Sequence, residues 1–385
     1  MWLARQQREK YEFLYNFNYF YKDIHGYLSA VVCCLGIVLN CCYIYVLTRR
    51  IMLSVINILL TGIAVSDTLL MFSYIIFIGH FRLVKHSCLS DLLTYRWMLF
   101  SVFHANFSVT LRSISMWLGV VVAMIRCWVL SLSYRFSTKN QEANLAKQAI
   151  GCTAVCVILA NIPMYLSFSV YQQNRRNAPN CSTVFYNIYP SPLVHQSDCI
   201  LLKSAFWING IFHKFCPIIL VTVGISILLR LFREQQRRRR LYFRKSSLIN
   251  ITPSTKALVA ILTVLIVTEA PNTILSVLSA LSRELTEHVY RNLGDLFDLF
   301  SLFNCVITFV LYCCMSSDFR IVFVQCFTQY PICQRDDANS ADERIHFVIS
   351  QEPMSRNGRS LSLSENPDII TAVFPFNQRR TTCSL

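Results

Sequence analysis

The sequence predicts an all-α membrane protein, a bundle of seven transmembrane helices followed by a short amphipathic helix. Of its 385 residues, 54% are hydrophobic and only 15% are charged, and a mean hydropathy of +0.43 is far too apolar for an ordinary soluble domain. Seven stretches reach the roughly 20 apolar residues that a helix needs to cross a bilayer. Most of the 17 cysteines fall inside these stretches, where thiols pack as small hydrophobic groups.

The first six predicted spans alternate with short polar connections, and neither half of the chain repeats the other, which argues against a transporter. The seven spans form a transmembrane domain over residues 27–315, preceded by an N-terminal segment over residues 1–26. The spans are predicted at residues 27–47, 55–78, 97–130, 145–170, 206–232, 258–281 and 293–314.

Lysine and arginine in the connections predict the orientation, because short cytoplasmic loops carry an excess of these residues. One side of the membrane collects Arg49, Arg50, Arg126, Arg135, Lys139, Arg233, Arg237, Arg238, Arg239, Arg240, Arg244 and Lys245. This side is predicted to be cytoplasmic, which places segment 1–26 outside the cell and the C-terminus inside. The basic run at 237–240 is then predicted to bind anionic membrane lipid rather than nucleic acid.

Residues 316–327 are predicted to form an amphipathic helix at the membrane interface, because apolar side chains recur there every three or four positions. These side chains are Phe319, Val322, Phe323 and Cys326. Cys326 is either palmitoylated or unmodified, and both interpretations stay open. Residues 328–385 are dominated by Asp, Ser, Asn and Arg, a composition typical of a disordered cytoplasmic tail.

Polar side chains within the spans need partners, because the bilayer interior holds no water to satisfy them. Asp67 lies amid apolar residues of the second span, too deep to reach either surface easily. Asn40, Ser115 and Asn304 are suited to partner it, by hydrogen bonds or by helping to bind a small cation through oxygen atoms. A hydrogen-bonded packing node without an ion is the equally weighted alternative.

Arg126 is the strongly charged residue at the polar end of the third span. An arginine beside apolar neighbours costs free energy in hydrocarbon unless it faces water, a partner or a crevice of the protein. Two interpretations stay open: an end anchor whose head group reaches the membrane surface, and a contact point for a cytoplasmic partner.

Several segments, taken in order and at their spacing, resemble the rhodopsin-like (class A) G-protein-coupled receptors. They are LGIVLN, NILLTGIAVSDTLLM, FHANFSVTLRSISMWLGVVVAMIR, KFCPIIL, TKALVAILTVLIVTEAPNTIL and YRNLGDLFDLFSLFNCVITFVLYCCMSSDFR, in spans one, two, three, five, six and seven. The resemblance covers residues 27–327. Within the superfamily, the chain is similar to the invertebrate myosuppressin and FMRFamide-type neuropeptide receptors.

The resemblance implies a multi-pass plasma-membrane receptor that binds an extracellular ligand, a short amidated neuropeptide, and passes a helix rearrangement to a heterotrimeric G protein. It also implies a sodium ion in the polar core as the one candidate cofactor. The sodium-pocket residues of the superfamily are matched by Asn40, Asp67, Ser115 and Asn304. Its coupling residues and helix-bending prolines are matched by Arg126, Tyr312, Pro217 and Pro271.

The chain departs from the superfamily at the residues that restrain and transmit activation. Ile125 stands where an acid should neighbour Arg126, and Cys127 replaces the tyrosine that follows. Thr308 and Phe309 replace the Asn and Pro of the seventh-helix motif. These changes predict either raised basal activity or impaired coupling. The alternative function is therefore a divergent decoy or chemosensory receptor that is constitutively active or does not signal.

The extracellular disulfide is a further departure, because the third-helix cysteine of the superfamily falls at Leu99. Cys88 in the first outer loop is the predicted substitute, paired with Cys181 or with Cys199. Asn180 begins a glycosylation sequon on the predicted outer side.

Charged residues within the spans predict the ligand site: the resemblance places Arg112 and Glu269 at the floor of the family's ligand pocket, and Asp295 and Asp298 lie near the outer end of the seventh span. Arg112 and Glu269 form a buried ion pair, or else each faces trapped water. Asp295 and Asp298, three residues apart on one helix face, either attract a cationic ligand group such as the arginine of an Arg-Phe-amide peptide or form a solvated helix end. Further polar or stacking contacts are predicted from His104 and Tyr95.

Other classes of function lack the residues that they need. The sequence shows no Ser/His/Asp set, metal-ligand cluster or phosphate-binding glycine loop, which argues against an enzyme or a metal site. Residues 290–314 contain no lysine, so a retinal Schiff base is excluded there. The predicted partners are a peptide, a G protein and membrane lipid, and no nucleic acid.

Overall fold

The computed structural model describes residues 11–84, 88–132, 139–174, 184–242 and 253–327. Seven helical stretches in these ranges are long and apolar enough to cross a membrane, which confirms the predicted seven-helix membrane protein. We number the long helices α1 to α7 and the helix after them α8. They are α1 Glu12–Leu47, α2 Val55–Ile78, α3 Tyr95–Leu132, α4 Lys139–Ser167, α5 Cys216–Tyr242, α6 Pro253–Leu281, α7 Arg291–Met315 and α8 Ser317–Phe327.

α1 extends far beyond the predicted first span. It begins at Glu12, so most of the segment assigned to residues 1–26 is helical and continuous with the span. Contacts with the start of α7 hold this extension, since Asn18 Nδ2 donates to Asn292 Oδ1 over 2.8 Å. The sequence prediction followed hydropathy, which marks where the chain becomes apolar rather than where the helix begins.

The fifth span consists of three continuous helical segments. Ile200–Trp207 is α-helical, Ile208–Phe215 is a π-helix, and α5 follows at Cys216. Pro217, the second residue of α5, has no N–H to donate to the carbonyl of His213, four residues earlier. The wider winding of the π-helix just before Pro217 accommodates this missing bond.

An antiparallel hairpin connects α4 to the fifth span. Strand β1 (Phe168–Asn174) pairs with β2 (Val184–Pro190), although the fourth span was predicted to continue to residue 170. The N–H of Ser191 donates to the carbonyl of Ser167 over 2.9 Å. This bond satisfies the last carbonyl of α4, which ends at Ser167. Other short elements are Arg50–Met52 (3-10), Leu89–Leu92, Pro192–Gln196 and Arg283–Leu285 (α), and Gly79–Leu83 and Thr286–Tyr290 (π).

The helix α8 packs against the bundle through an aromatic group that we call the inner aromatic cluster. The rings of Tyr312 and Phe319 meet edge to face with centroids 5.2 Å apart. The cluster consists of Tyr43, Phe309, Tyr312 and Phe319, all buried. The predicted amphipathic helix therefore buries Phe319 and Val322 against the bundle, while Ile321 stays exposed. Its position at the membrane interface stays a prediction.

Candidate functional site

A cavity of about 450 Å³ lies among α1, α2, α3, α6, α7 and the fifth span. Because its lining includes residues near the helix ends that were predicted to face outward, we call it the outer cavity. Its charged lining residues are Arg82, Arg112, Lys214, Glu269, Asp295 and Asp298. Five of the six predicted ligand-binding residues line it, namely His104, Arg112, Glu269, Asp295 and Asp298.

The two aspartates of α7 already have arginine partners. Arg82 Nη2 lies 3.2 Å from Asp295 Oδ2, and Arg112 Nη1 lies 3.6 Å from Asp298 Oδ1. All four side chains are partly exposed, so neither pair is sealed inside the protein. A cationic ligand group would therefore have to share each carboxylate with an arginine of the chain or displace that arginine.

Arg112 and Glu269 do not make the direct ion-pair contact that was predicted, although they interact electrostatically. Glu269 is buried and accepts a hydrogen bond from Ser301 Oγ over 2.6 Å, whereas the carboxylate that contacts Arg112 within the described ranges belongs to Asp298. Asp298 and Ser301 are three residues apart and hence on one face of α7. On that face, Asp298 contacts α3 and Ser301 contacts α6.

His104 lines the outer cavity, whereas Tyr95 lies outside it. His104 is buried, with Nδ1 3.2 Å from Ser73 Oγ in a hydrogen bond, and it stacks on Phe77 with centroids 4.7 Å apart. Tyr95, the first residue of α3, is 50% exposed and contacts the ring of Tyr186 in β2 at 5.5 Å. The prediction that Tyr95 contributes to the ligand site is corrected, because its position at the helix end directs it to the hairpin.

The fifth span contributes further residues to the lining of the outer cavity. The sequence analysis assigned none of them a role. His213 is 2% exposed, and neither of its ring nitrogens has a hydrogen-bond partner among the described residues. Lys214 Nζ donates to Ser276 Oγ over 2.8 Å and lies 5.9 Å from the ring centroid of Tyr290. A histidine and a lysine placed shortly before Pro217 in an otherwise apolar span were the available sequence signal.

Below the cavity, the predicted polar core is only partly assembled. Ser115 Oγ donates to Asp67 Oδ1 over 2.8 Å, while Asn40 Nδ2 donates to the carbonyl of Cys305 over 3.3 Å. The Oδ1 atoms of Asn40 and Asn304 are buried without a hydrogen-bond partner in the described part of the chain. The structure thus joins Ser115 to Asp67 directly and leaves two amide oxygens as unsatisfied acceptors.

At the other end of α3 and α7, the predicted coupling residues are neighbours. Tyr312 Oη donates to Asn57 Oδ1 of α2 over 2.8 Å, and Tyr312 also interacts electrostatically with Arg126. The Nε atom of Arg126 is shielded from solvent. This position favours a side chain that faces a crevice of the bundle over one that only anchors the helix end.

The departures from the rhodopsin-like pattern have defined positions in this structure. Ile125 packs against the apolar core, where an acid would have neighboured Arg126. Cys127 Sγ donates to the carbonyl of Gly224 over 3.4 Å. α3 and α5 approach closely there, because a Cβ added at Gly224 would lie only 3.0 Å from Cβ of Ala123.

α7 continues through the site where the superfamily has Asn and Pro. Thr308 Oγ1 donates to the carbonyl of Asn304 over 3.0 Å, and Phe309 belongs to the inner aromatic cluster. The helix therefore continues unbroken to Met315. Pro271, one of the two predicted helix-bending prolines, lies inside α6.

Of the two predicted partners of Cys88, one is corrected and the other stays open. Cys88 is disulfide-bonded, whereas Cys199 is a free, exposed cysteine, so the alternative pairing of Cys88 with Cys199 is wrong. Cys181 and the sequon residue Asn180 lie outside the described residues. The pairing of Cys88 with Cys181 and the glycosylation of Asn180 stay predictions.

Comparison with known proteins identifies the family. Residues 27–329 match the sequence model of the family described as "Serpentine type 7TM GPCR chemoreceptor Srw". The chain belongs to this family. It is also similar to the G-protein coupled receptor dmsr-1 of Caenorhabditis elegans, with 30% identity over 239 residues, which are 59% of this chain and 46% of that protein. The chain thus spans less than half the length of this relative.

In this Srw-family chain, α3 and α7 connect the cavity with the predicted coupling residues. Arg112 and Arg126 are 14 residues apart on α3, and Asp298 and Tyr312 are 14 residues apart on α7. At 1.5 Å per residue, each separation is roughly 21 Å. The two helices are therefore linked by an ion pair at one end and by a shared polar and aromatic neighbourhood at the other.

Proposed function

We propose that this Srw-family chain is a plasma-membrane receptor for a short amidated neuropeptide of the FMRFamide or myosuppressin kind. It signals to a heterotrimeric G protein, with the N-terminus outside the cell and the C-terminus inside, as the distribution of basic residues predicts. The observation that carries the proposal is the charged outer cavity, whose walls come from the same helices that hold Arg126 and Tyr312 at their opposite ends.

The two aspartates of α7 are the proposed contact for a cationic peptide residue. An arginine of the peptide that binds Asp298 by a charge-assisted hydrogen bond replaces Arg112 as the partner of that carboxylate. The exchange breaks the ion pair between α3 and α7. A ligand shifts a conformational equilibrium only through such differential contacts with the two states, so this exchange couples binding to movement of α3 against α7.

The polar core is proposed to hold a sodium ion. The residues fit a cation, because the Asp67 carboxylate supplies a charge and the Oδ1 atoms of Asn40 and Asn304 are buried acceptors without a partner among the described residues. Carboxylate and amide oxygens are the ligands that hard cations prefer. The ion would supply a positive charge next to Asp67, while Ser115 holds the orientation of that carboxylate.

A G-protein activation assay tests the proposal. Cells that display the epitope-tagged receptor at their surface are challenged with a panel of synthetic amidated peptides, with and without arginine. We expect at least one arginine-containing peptide to activate the receptor, and its arginine-to-citrulline analogue to be weaker. Surface expression with no response to any peptide, in cells that carry several G-protein classes, would contradict the proposal.

The alternative is a chemosensory receptor for a small molecule. The family description names chemoreceptors, and the cavity volume of about 450 Å³ lies within the usual range for small-molecule pockets. A receptor that responds to small organic compounds and to none of the peptides would favour this alternative. Peptide binding without G-protein activation would instead indicate a decoy receptor.

A further inference from the structure

The wall of the outer cavity formed by the fifth span contains polar groups that the proposed peptide cation does not use. His213 and Lys214 lie on the π-helix Ile208–Phe215, and both line the cavity together with Asn209. The aspartates that line the same cavity belong to a different helix, α7. The two walls are thus chemically distinct.

Lys214 differs from the other cations of the cavity in its partners. Arg82 and Arg112 each contact an aspartate, whereas the contacts of Lys214 within the described ranges are a hydroxyl group, Ser276 Oγ, and the ring of Tyr290. Both of these contacting groups are neutral. An ammonium group in a partly enclosed site without a counter-ion favours the entry of an anion.

His213 provides an independent observation at the same wall. It is 2% exposed, and both of its ring nitrogens, like Asn209 Oδ1, lack a hydrogen-bond partner in the described part of the protein. A buried polar group without a partner is costly, and a ligand that satisfies it recovers that cost on binding. A neutral imidazole has one N–H to donate, which a carboxylate oxygen can accept.

We propose that the π-helical segment forms an anion subsite, in which Lys214 and His213 bind a carboxylate of the ligand. The ligand is then dipolar, with its cationic group at the aspartates of α7 and its acidic group at the fifth span. The inference deepens the proposed function and rests on it for the peptide nature of the ligand. The subsite itself depends only on the residues of the fifth span.

The subsite can be tested on the purified receptor without knowledge of the natural ligand. The melting temperature in detergent is measured with N-acetylglutamate and with equal concentrations of N-acetylglutamine. We expect the acid to raise the melting temperature more than the amide does, in the wild type and in the Lys214→Arg variant. The difference disappears in Lys214→Gln and persists in Lys203→Gln, which changes an exposed lysine of the same span.

A second variant keeps the test decisive if Lys214→Gln fails to fold. His213→Phe replaces the unpartnered imidazole by a ring of similar shape, so we expect it to fold and to reduce the preference for the acid. Equal melting temperatures with the acid and the amide in the wild type would overturn the inference. A preference for the acid that persists in both Lys214→Gln and His213→Phe would overturn it as well.

Matched peptides connect the subsite to signalling. Amidated peptides that differ only by Glu or Gln at one position are compared in the activation assay, and we expect an acid preference of about ten- to a hundredfold from one charge-assisted contact, abolished by Lys214→Gln. Activation by peptides without any acid preference would overturn the subsite and leave the proposed function intact. No activation by any peptide, with the difference in melting temperature present, would overturn the function and leave the subsite intact.

Discussion

The outer cavity and the inner aromatic cluster lie at opposite ends of α7, and opposite kinds of interaction hold them together. The cavity is lined by charged groups from separate helices, including two ion pairs with partly exposed side chains. The cluster is formed by rings in edge contact at centroid distances near 5 to 6 Å, all of them buried. The comparison indicates that the cavity end is held by polar groups that solvent can reach, whereas the cluster end is held by close-packed rings.

The largest effect is expected from removal of a ring of the inner aromatic cluster. Phe319→Ala should lower the free energy of unfolding by about 3 to 5 kcal/mol, because a fully buried aromatic side chain leaves a cavity in close-packed surroundings. Thermal unfolding of the purified receptor measures the change. Ile321→Ala, two residues further along α8 and 57% exposed, should cost less than about 0.5 kcal/mol, and an equal loss in both variants would contradict the packing described for α8.

The next largest effect is expected at the ion pair between Arg112 and Asp298. The sequence had predicted Glu269 as the partner of Arg112. Arg112→Gln and Asp298→Asn should each cost about 1 to 3 kcal/mol, since each leaves a partly shielded charge without its partner. The double variant should cost less than the sum of the two by about 0.5 to 3 kcal/mol. Thermal unfolding of all three variants gives the coupling energy.

The matched control for this cycle combines Arg112→Gln with Glu269→Gln. These two side chains line the same cavity, but the partner of Glu269 is Ser301. The coupling energy of this second cycle measures the electrostatic interaction of Arg112 with Glu269, which acts without direct contact. A larger coupling energy in the control cycle than in the first would restore the predicted Arg112–Glu269 pair.

A smaller effect is expected at the coupling end, where the chain lacks an acid beside Arg126. Ile125→Asp should lower ligand-free signalling by about tenfold, because a new charge-assisted hydrogen bond to Arg126 would restrain that side chain. A second-messenger assay without ligand measures it. Ile125→Asn introduces a side chain of similar shape to aspartate but without the charge. An equal basal signal in the two variants would therefore show that a carboxylate does not restrain Arg126.

The smallest effect compares two buried tyrosines of the inner aromatic cluster. Tyr312→Phe removes the hydrogen bond to Asn57 and should lower the free energy of unfolding by about 1 kcal/mol. Tyr43→Phe removes a hydroxyl that has no partner among the described residues, so it should be neutral or slightly stabilising. Both are measured by thermal unfolding, and a greater loss in Tyr43→Phe would contradict the geometry of the cluster.

The helices were predictable where local signals agree with hydropathy. The second span was predicted at 55–78, and α2 is Val55–Ile78, because Ser54 caps the helix by accepting a bond from the N–H of Asn57 just where the apolar run begins. The start of α1 at Glu12 and the hairpin after α4 were missed. Both depend on contacts with distant segments, such as Asn18 with Asn292, which local composition does not contain.

The candidate site was predictable as a set of residues but not as a set of contacts. Charged residues in apolar spans are few, so Arg112, Glu269 and Asp298 could be singled out from sequence alone. Which of them touch depends on the rotation of each helix about its axis and on its offset along the membrane normal. His213 shows the same limit, because a histidine in an apolar span is notable only once its neighbours are known to leave it without a hydrogen bond.

The sequence by itself determined the seven membrane spans and the polar residues among them, because the cost of placing unsatisfied polar groups in hydrocarbon acts on every residue according to its own chemistry. The tertiary structure alone decided that Asp298 rather than Glu269 binds Arg112, that Tyr95 faces the hairpin, and that Lys214 has neutral partners. These outcomes depend on how the faces of separate helices meet, and that geometry is a property of the assembled bundle.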